Sequence, residues 1–186
     1  VLMIFVNDLW TLSDIPLWLG HVSAEADGMG LADMVFPAFL FIVGLSVPYA
    51  IQSRKKKGDS SINIFFHIIS RTVALLVMGL FMVNYESYGE DALLSRQVWM
   101  LLLILAFFLI WMDYKTDKRT LIKVLRTIGM TILIVLVLTF GTDEESGLAA
   151  MQVCWWGILG LIGWSYFIAS SVTLFSQGNF AIVIVA

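Results

Sequence analysis

The sequence predicts an all-α fold, a polytopic bundle of transmembrane helices, and three observations carry that reading. Of the 186 residues, 60% are hydrophobic and 13% are charged, with a mean hydropathy of +0.91. A soluble domain runs near 45–50% apolar. The charges are also clustered, which leaves uncharged runs of membrane length, since about 20 residues at ~1.5 Å each cross a ~30 Å hydrocarbon core. Finally, no stretch alternates apolar and polar residues in the manner of a transmembrane barrel strand.

The elements follow in order. VLMIFV at 1–6 is too short to span and lacks the basic start of a signal peptide, so it reads as the tail of a first helix. Residues 34–53 carry no charge and form a full span. Residues 64–85 cross back, with Arg71 near the start. Spans follow at 97–112 and 121–140. From Ser146 to Ala186 there is no charged residue, which accommodates a span at 155–175 and part of another at 179–186. SQGN at 176–179 is the break, because Gly and Asn favour turns. Residues 1–186 read as one transmembrane domain and as an excerpt of a larger membrane protein.

Basic residues fix the expected orientation. Arg54, Lys55, Lys56 and Lys57 follow the first full span, and Lys115, Lys118, Arg119, Lys123 and Arg126 lie around the join between the third and fourth. With Arg71 these make ten of the eleven basic residues, and only Arg96 falls on the other side. By the positive-inside rule the basic loops are cytoplasmic, so the acid-rich loop holding His21 faces outward. Membrane lipids are the expected surroundings. The single cysteine, Cys154, excludes an internal disulfide and a CxxC redox or metal site. No nucleic-acid signature and no metal motif is present.

The stretch WLGHVSAEADGMGLADMVFPAFLFIVG, residues 18–44, sets a lone titratable ring beside a membrane-length segment. Asp33 is expected to begin the helix, its charge meeting the positive end of the helix dipole, with Pro37 in the first turn. His21 reads either as a wet loop residue or as a general base, the role histidine serves near neutral pH. Asn7, closing the first helix fragment, would orient it or hold a reacting carbonyl.

The order FVN, then His21, then GMGLADMVFPAFLFIVGLS resembles the heparan-α-glucosaminide N-acetyltransferase family of membrane acetyltransferases and its bacterial relatives. The likeness is strongest over residues 3–48 and weaker through RTVALLVMGLFMVN at 71–84 and WWGILGLIGW at 155–164. It implies transfer of an acetyl group from cytosolic acetyl-CoA, as co-substrate, to a sugar or glycan acceptor, an amino sugar, on the far face. It also implies a homodimer and, given the short loops, a bacterial inner membrane. The family's histidine falls on His21, its asparagine on Asn7, its aspartate on Asp33 and its arginine on Arg71. His21 then serves as general base or as acyl carrier.

Arg71 reads as snorkelling to the interface or as gripping CoA phosphates. His67, one turn earlier on the same face, is a further CoA contact or an interfacial residue. The basic run 54–57 reads as an orientation signal that secondarily attracts anionic lipid or CoA. Asn84 is a candidate substrate contact at the outer end of its helix. Trp155, Trp156 and Trp164 suggest an interfacial aromatic belt, and Gly157, Gly160 and Gly163 suggest close helix packing. The family's Q-R-L-G-like segment is not reproduced, since RQVWMLLLILAF stands there. A competing class is a transporter or flippase for a sugar-linked or anionic solute. Such proteins favour ionisable groups near the midplane, whereas the polar residues here gather at the two faces.

Overall fold

A computed structural model describes residues 2–9, 12, 15–23, 27–89, 92–115, 118–142 and 150–176, with the side chain of Asn7 outside that description. The protein is an all-α helical bundle. Its helices are α1 (Leu2–Leu9), α2 (Leu31–Lys56), α3 (Ser61–Glu86), α4 (Arg96–Trp111), α5 (Arg119–Leu138) and α6 (Gly157–Phe175), the last preceded by a 3₁₀ turn at Cys154–Trp156. No β-strand forms among the described residues. α2, α3, α5 and the segment Cys154–Phe175 are each long and apolar enough to cross a bilayer. The chain is an integral membrane protein. Many large apolar side chains of these helices face outward, Phe41, Ile42, Ile134 and Ile168 among them. In a bilayer that surface meets lipid tails, which are as apolar as the side chains themselves.

The helices overlap the expected spans with shifted ends. α2 extends beyond 34–53 on both sides because its flanking polar residues are helical too. α4 has 16 residues, about 24 Å of rise, less than a ~30 Å core. α5 stops at Leu138, before the expected end at 140. The segment 179–186 lies outside the described residues.

The chain divides into two compact units, Val1–Thr72 with Trp164–Ala186, and Val73–Gly163. In the first, α2 is capped by Lys57, whose N–H reaches the carbonyls of Ser53 and Arg54, and Gly58 follows with φ 89°. A left-handed residue at this point is the common way to close a helix. Ser60 then opens α3, its Oγ accepting from the Asn63 N–H at 3.3 Å. The short turn makes α2 and α3 a hairpin. Val47 and Ile51 of α2 pack on Ile64 and Ile68 of α3 and on Leu174 of α6. These positions repeat at i and i+4, one face of a helix.

The second unit is built around Trp99 of α4, which is fully buried. Phe81, Tyr88, Leu103, Leu136, Phe140 and Ala150 complete that core. The indole N–H donates to the Leu136 carbonyl of α5 at 3.2 Å. Tyr85 stacks beside Trp99 at 6.3 Å, and the Arg96 guanidinium lies 4.6 Å over the Tyr85 ring while donating to the Tyr85 carbonyl. Arg96 thereby satisfies a carbonyl at the C-terminal end of α3.

Candidate functional site

His21 and Asp33 are brought together within the first unit. His21 Nδ1 lies 2.6 Å from Asp33 Oδ1. The other oxygen, Oδ2, accepts from the backbone N–H of Gly30 at 2.9 Å and of Val22 at 3.2 Å. An ionised carboxylate is an acceptor only, so it fits all three contacts as the anion. Nδ1 then donates to Oδ1, which fixes the orientation of the ring. Asp33 therefore selects the tautomer and the ring plane, as the aspartate of a hydrolytic triad does. About half of the His21 side chain is exposed and about a quarter of that of Asp33.

Local backbone explains how this pair forms. α2 begins at Leu31, so Asp33 is its third residue rather than its first, and Pro37 lies past the first turn, inside the helix. The physical reason is that Asp33 reaches back to the N–H of the capping residue Gly30, as acidic residues at the third position do. The loop 15–23 is clipped to the same helix start. Leu31 N–H donates to the Trp18 carbonyl at 2.8 Å, and Leu19 N–H to that of Pro16 at 2.9 Å. A Cβ at Gly30 would collide with the Gly20 carbonyl. Only glycine lets the loop approach this closely, which is why GMGLAD is followed by a helix with His21 folded on its first turn.

A cavity of about 350 Å³ adjoins the pair. Val6 and Leu9 of α1 form one wall and Ala32 of α2 another. Leu12, Ile15, Pro16 and Leu17 supply the loop side, and Gly20 and His21 complete it. Among the described residues lining it, His21 alone has a polar side chain. Asn7 lies on α1, and its amide is outside the description.

The other end of α2, where Arg54 lies about 32 Å of helical rise from Asp33, holds a second polar cluster. Arg54 donates from Nη1 to Asp59 Oδ2 at 3.2 Å, and its Nη2 meets His67 Nε2 at 3.0 Å. An arginine cannot accept, so His67 Nε2 receives this bond. Arg71, one turn further along α3, lies 5.6 Å over the ring of Tyr166. Sequence reasoning had Arg54 as one of four equivalent charges. Nothing in the run Arg54–Lys57 distinguishes it, because the distinction comes from the turn that carries Asp59 and His67 back to it.

Asn84 belongs to the second unit and is buried, 1% exposed. Its Nδ2 donates to the carbonyls of Leu80 and Gln152, each at 2.8 Å, and its Oδ1 accepts from the Gln152 N–H at 2.8 Å. The side chain thus pairs both backbone groups of one residue in the segment leading into α6. Next comes an unusual turn, with Cys154, Trp155 and Trp156 all at positive φ, 37°, 54° and 58°. Such residues each cost roughly 1–2 kcal/mol in the left-handed region. Gly157, at φ 60°, leaves room for Val83, so part of the glycine spacing serves this turn. Asn84→Leu is expected to lower stability by about 1–3 kcal/mol, because the part-buried backbone N–H and carbonyl of Gln152 lose their partners. Chemical unfolding in detergent micelles checks it.

Comparison with known proteins adds the family. No solved structure matches the chain. Over 140 residues, 75% of the chain, it is 29% identical to the heparan-alpha-glucosaminide N-acetyltransferase of Mus musculus. Over 84 residues, 45% of the chain, it is 32% identical to the Homo sapiens protein of the same name. These stretches make up 17% and 12% of the two relatives, so the chain spans a minor part of their length. The family described as domain of unknown function DUF5009 matches residues 9–182. On that match, across nearly the whole sequence, the chain belongs to the DUF5009 family.

Proposed function

We propose that the chain is part of a membrane acyltransferase that moves an acetyl group from acetyl-CoA to an amino-sugar acceptor on the opposite face of the membrane. The single observation that carries this reading is the His21–Asp33 contact at 2.6 Å, with Asp33 anchored by two backbone N–H groups. The N-acetyltransferase activity in the names of both relatives supports the same chemistry. Charge asymmetry supports a bacterial inner-membrane orientation with His21 periplasmic and the Arg54–Lys57 turn cytoplasmic.

In direct transfer, the acceptor nitrogen attacks the thioester carbonyl. The C–N bond forms, the C–S bond breaks, Nε2 of His21 takes the nitrogen's proton, and the thiolate leaves with CoA. Asp33 stabilises the imidazolium that results. Transfer through an acyl-imidazole at the same Nε2 is the alternative, and water beside a half-exposed ring favours the direct route. Asn7 is the candidate donor to the carbonyl oxygen. Asn84, its amide spent on backbone groups, is read as holding the α6 entry in place beneath any substrate contact.

Arg54, His67 and Arg71 suit the CoA phosphates. A guanidinium has five N–H donors, so the contacts to Asp59 and His67 do not exhaust Arg54. Arg54→Ala is expected to raise KM for acetyl-CoA at least about tenfold, from loss of one charge-assisted bond. Lys55→Ala is expected to change it little, and initial rates against acetyl-CoA concentration decide.

The test of the function uses full-length protein in vesicles, with radiolabelled acetyl-CoA on the side of the basic turn and amino sugars on the other. Label on the sugar, lost in His21→Ala, supports the reading. Solute uptake independent of acetyl-CoA would instead favour a transporter.

A further inference from the structure

α5 begins at Arg119 and carries Lys123 and Arg126 inside it. Its 20 residues give about 30 Å of rise, no more than the ~30 Å core it has to cross. Arg126 stands about 10 Å of rise along the helix from Arg119, so a spanning α5 takes it below the interface. Positions 119, 123 and 126 share one face of the helix, and all three residues are exposed. None of them makes an ion pair or a hydrogen bond with another described residue. By itself this stripe is unfavourable in three ways. Like charges three and four residues apart repel. Arg119 sits at the positive end of the helix dipole, with no acidic residue in the first turn to offset it. Charges below the interface are costly without a partner. A bound anion reverses all three.

From Arg126 the row continues through Met130, Ile134 and Leu138, each four residues on and each exposed. A water-soluble polyanion would leave this apolar ridge unused. An amphiphile with an anionic head and a hydrocarbon tail covers both parts. We infer that Arg119, Lys123 and Arg126 bind one anionic phospholipid, its phosphate against the stripe and an acyl chain along Met130, Ile134 and Leu138. The two guanidinium groups offer planar forks that match phosphate oxygens, and Lys123 adds a compact charge between them. Basic residues at a membrane surface each raise the affinity for anionic lipid roughly fivefold. The site belongs to the second unit alone and stands whether or not the chain transfers acetyl.

Native mass spectrometry of the full-length protein in micelles tests it, with phosphatidylglycerol and phosphatidylcholine of identical acyl chains as probes. The first phosphatidylglycerol is expected to bind about 10²-fold more tightly, from three basic residues. Lys123→Gln with Arg126→Gln is expected to cut that preference about 25-fold, and Arg126→Lys to keep most of it. Lys55→Gln with Lys56→Gln removes the same charge from the turn after α2 and is expected to leave the preference largely unchanged. An equal cut by both double variants overturns the site and leaves only a general attraction of charge. Glycerol phosphate, the head without its tails, is expected not to displace the lipid. Displacement by it, or by CoA at the same concentration, overturns the amphiphile in favour of a soluble anion. Equal affinity for the two lipids overturns the inference outright. Circular dichroism checks that the double variant is folded. If it is not, Arg126→Gln alone, at an exposed position, carries the test at about fivefold.

Discussion

Replacing His21 by glutamine is expected to lower acyl transfer by about 10²–10⁴-fold, the contribution a positioned general base makes. Glutamine keeps a polar side chain able to reach Asp33 yet has no group that takes a proton near neutral pH. The helix start survives, because the Gly30 and Val22 N–H groups still bond Asp33 Oδ2. Folding and donor binding should therefore remain while turnover is lost, and kcat rather than KM carries the change. Asp33→Asn provides the complementary measurement. Its amide accepts at one atom and donates at the other, so it either opposes the Nδ1 proton or releases a backbone N–H. A loss on the order of 10²-fold is expected, below the roughly 10⁴ of a buried triad aspartate, because this pair is partly exposed. Unaltered turnover in both variants would remove His21 from the chemistry.

The second large effect is structural. Trp99→Ala is expected to destabilise the second unit by about 3–5 kcal/mol, the usual cost of deleting a fully buried large aromatic. Phe81, Tyr85, Tyr88 and Phe140 all have ring centroids within 5.3–6.3 Å of it. Removing the indole leaves a void these rings cannot close, since each is held by its own element. It also frees the Leu136 carbonyl. Trp99→Phe retains most of the packing and loses the N–H donor, so about 1–2 kcal/mol is expected. Thermal unfolding followed by circular dichroism in micelles separates the two.

The candidate site shows where sequence was legible. ADMVFP after an upstream histidine marked His21 and Asp33 as residues of interest, and a charge count placed them at the opposite end of α2 from the basic run. Their mutual contact was not legible. Twelve positions separate them, and the loop between is closed by backbone bonds, Trp18 to Leu31 and Gly20 against Gly30, that have no side-chain signature. Asn84 stood out as a polar residue at a helix end, but its use depended on Gln152, 68 positions away. Arg54 stood out only as one of the four residues of the basic run 54–57.

By itself the sequence determined that this chain is helical and lives in a membrane, and it set approximate helix positions. Hydrophobic run length and clustered charge are local quantities, and the bilayer converts them directly into spans. Tertiary structure alone decided which polar groups meet: His21 with Asp33, Arg54 with Asp59 and His67, Asn84 with Gln152. Those arrangements come from turns and close approaches whose determinants are missing side chains and backbone bonds, and neither leaves a periodic trace in the order of residues.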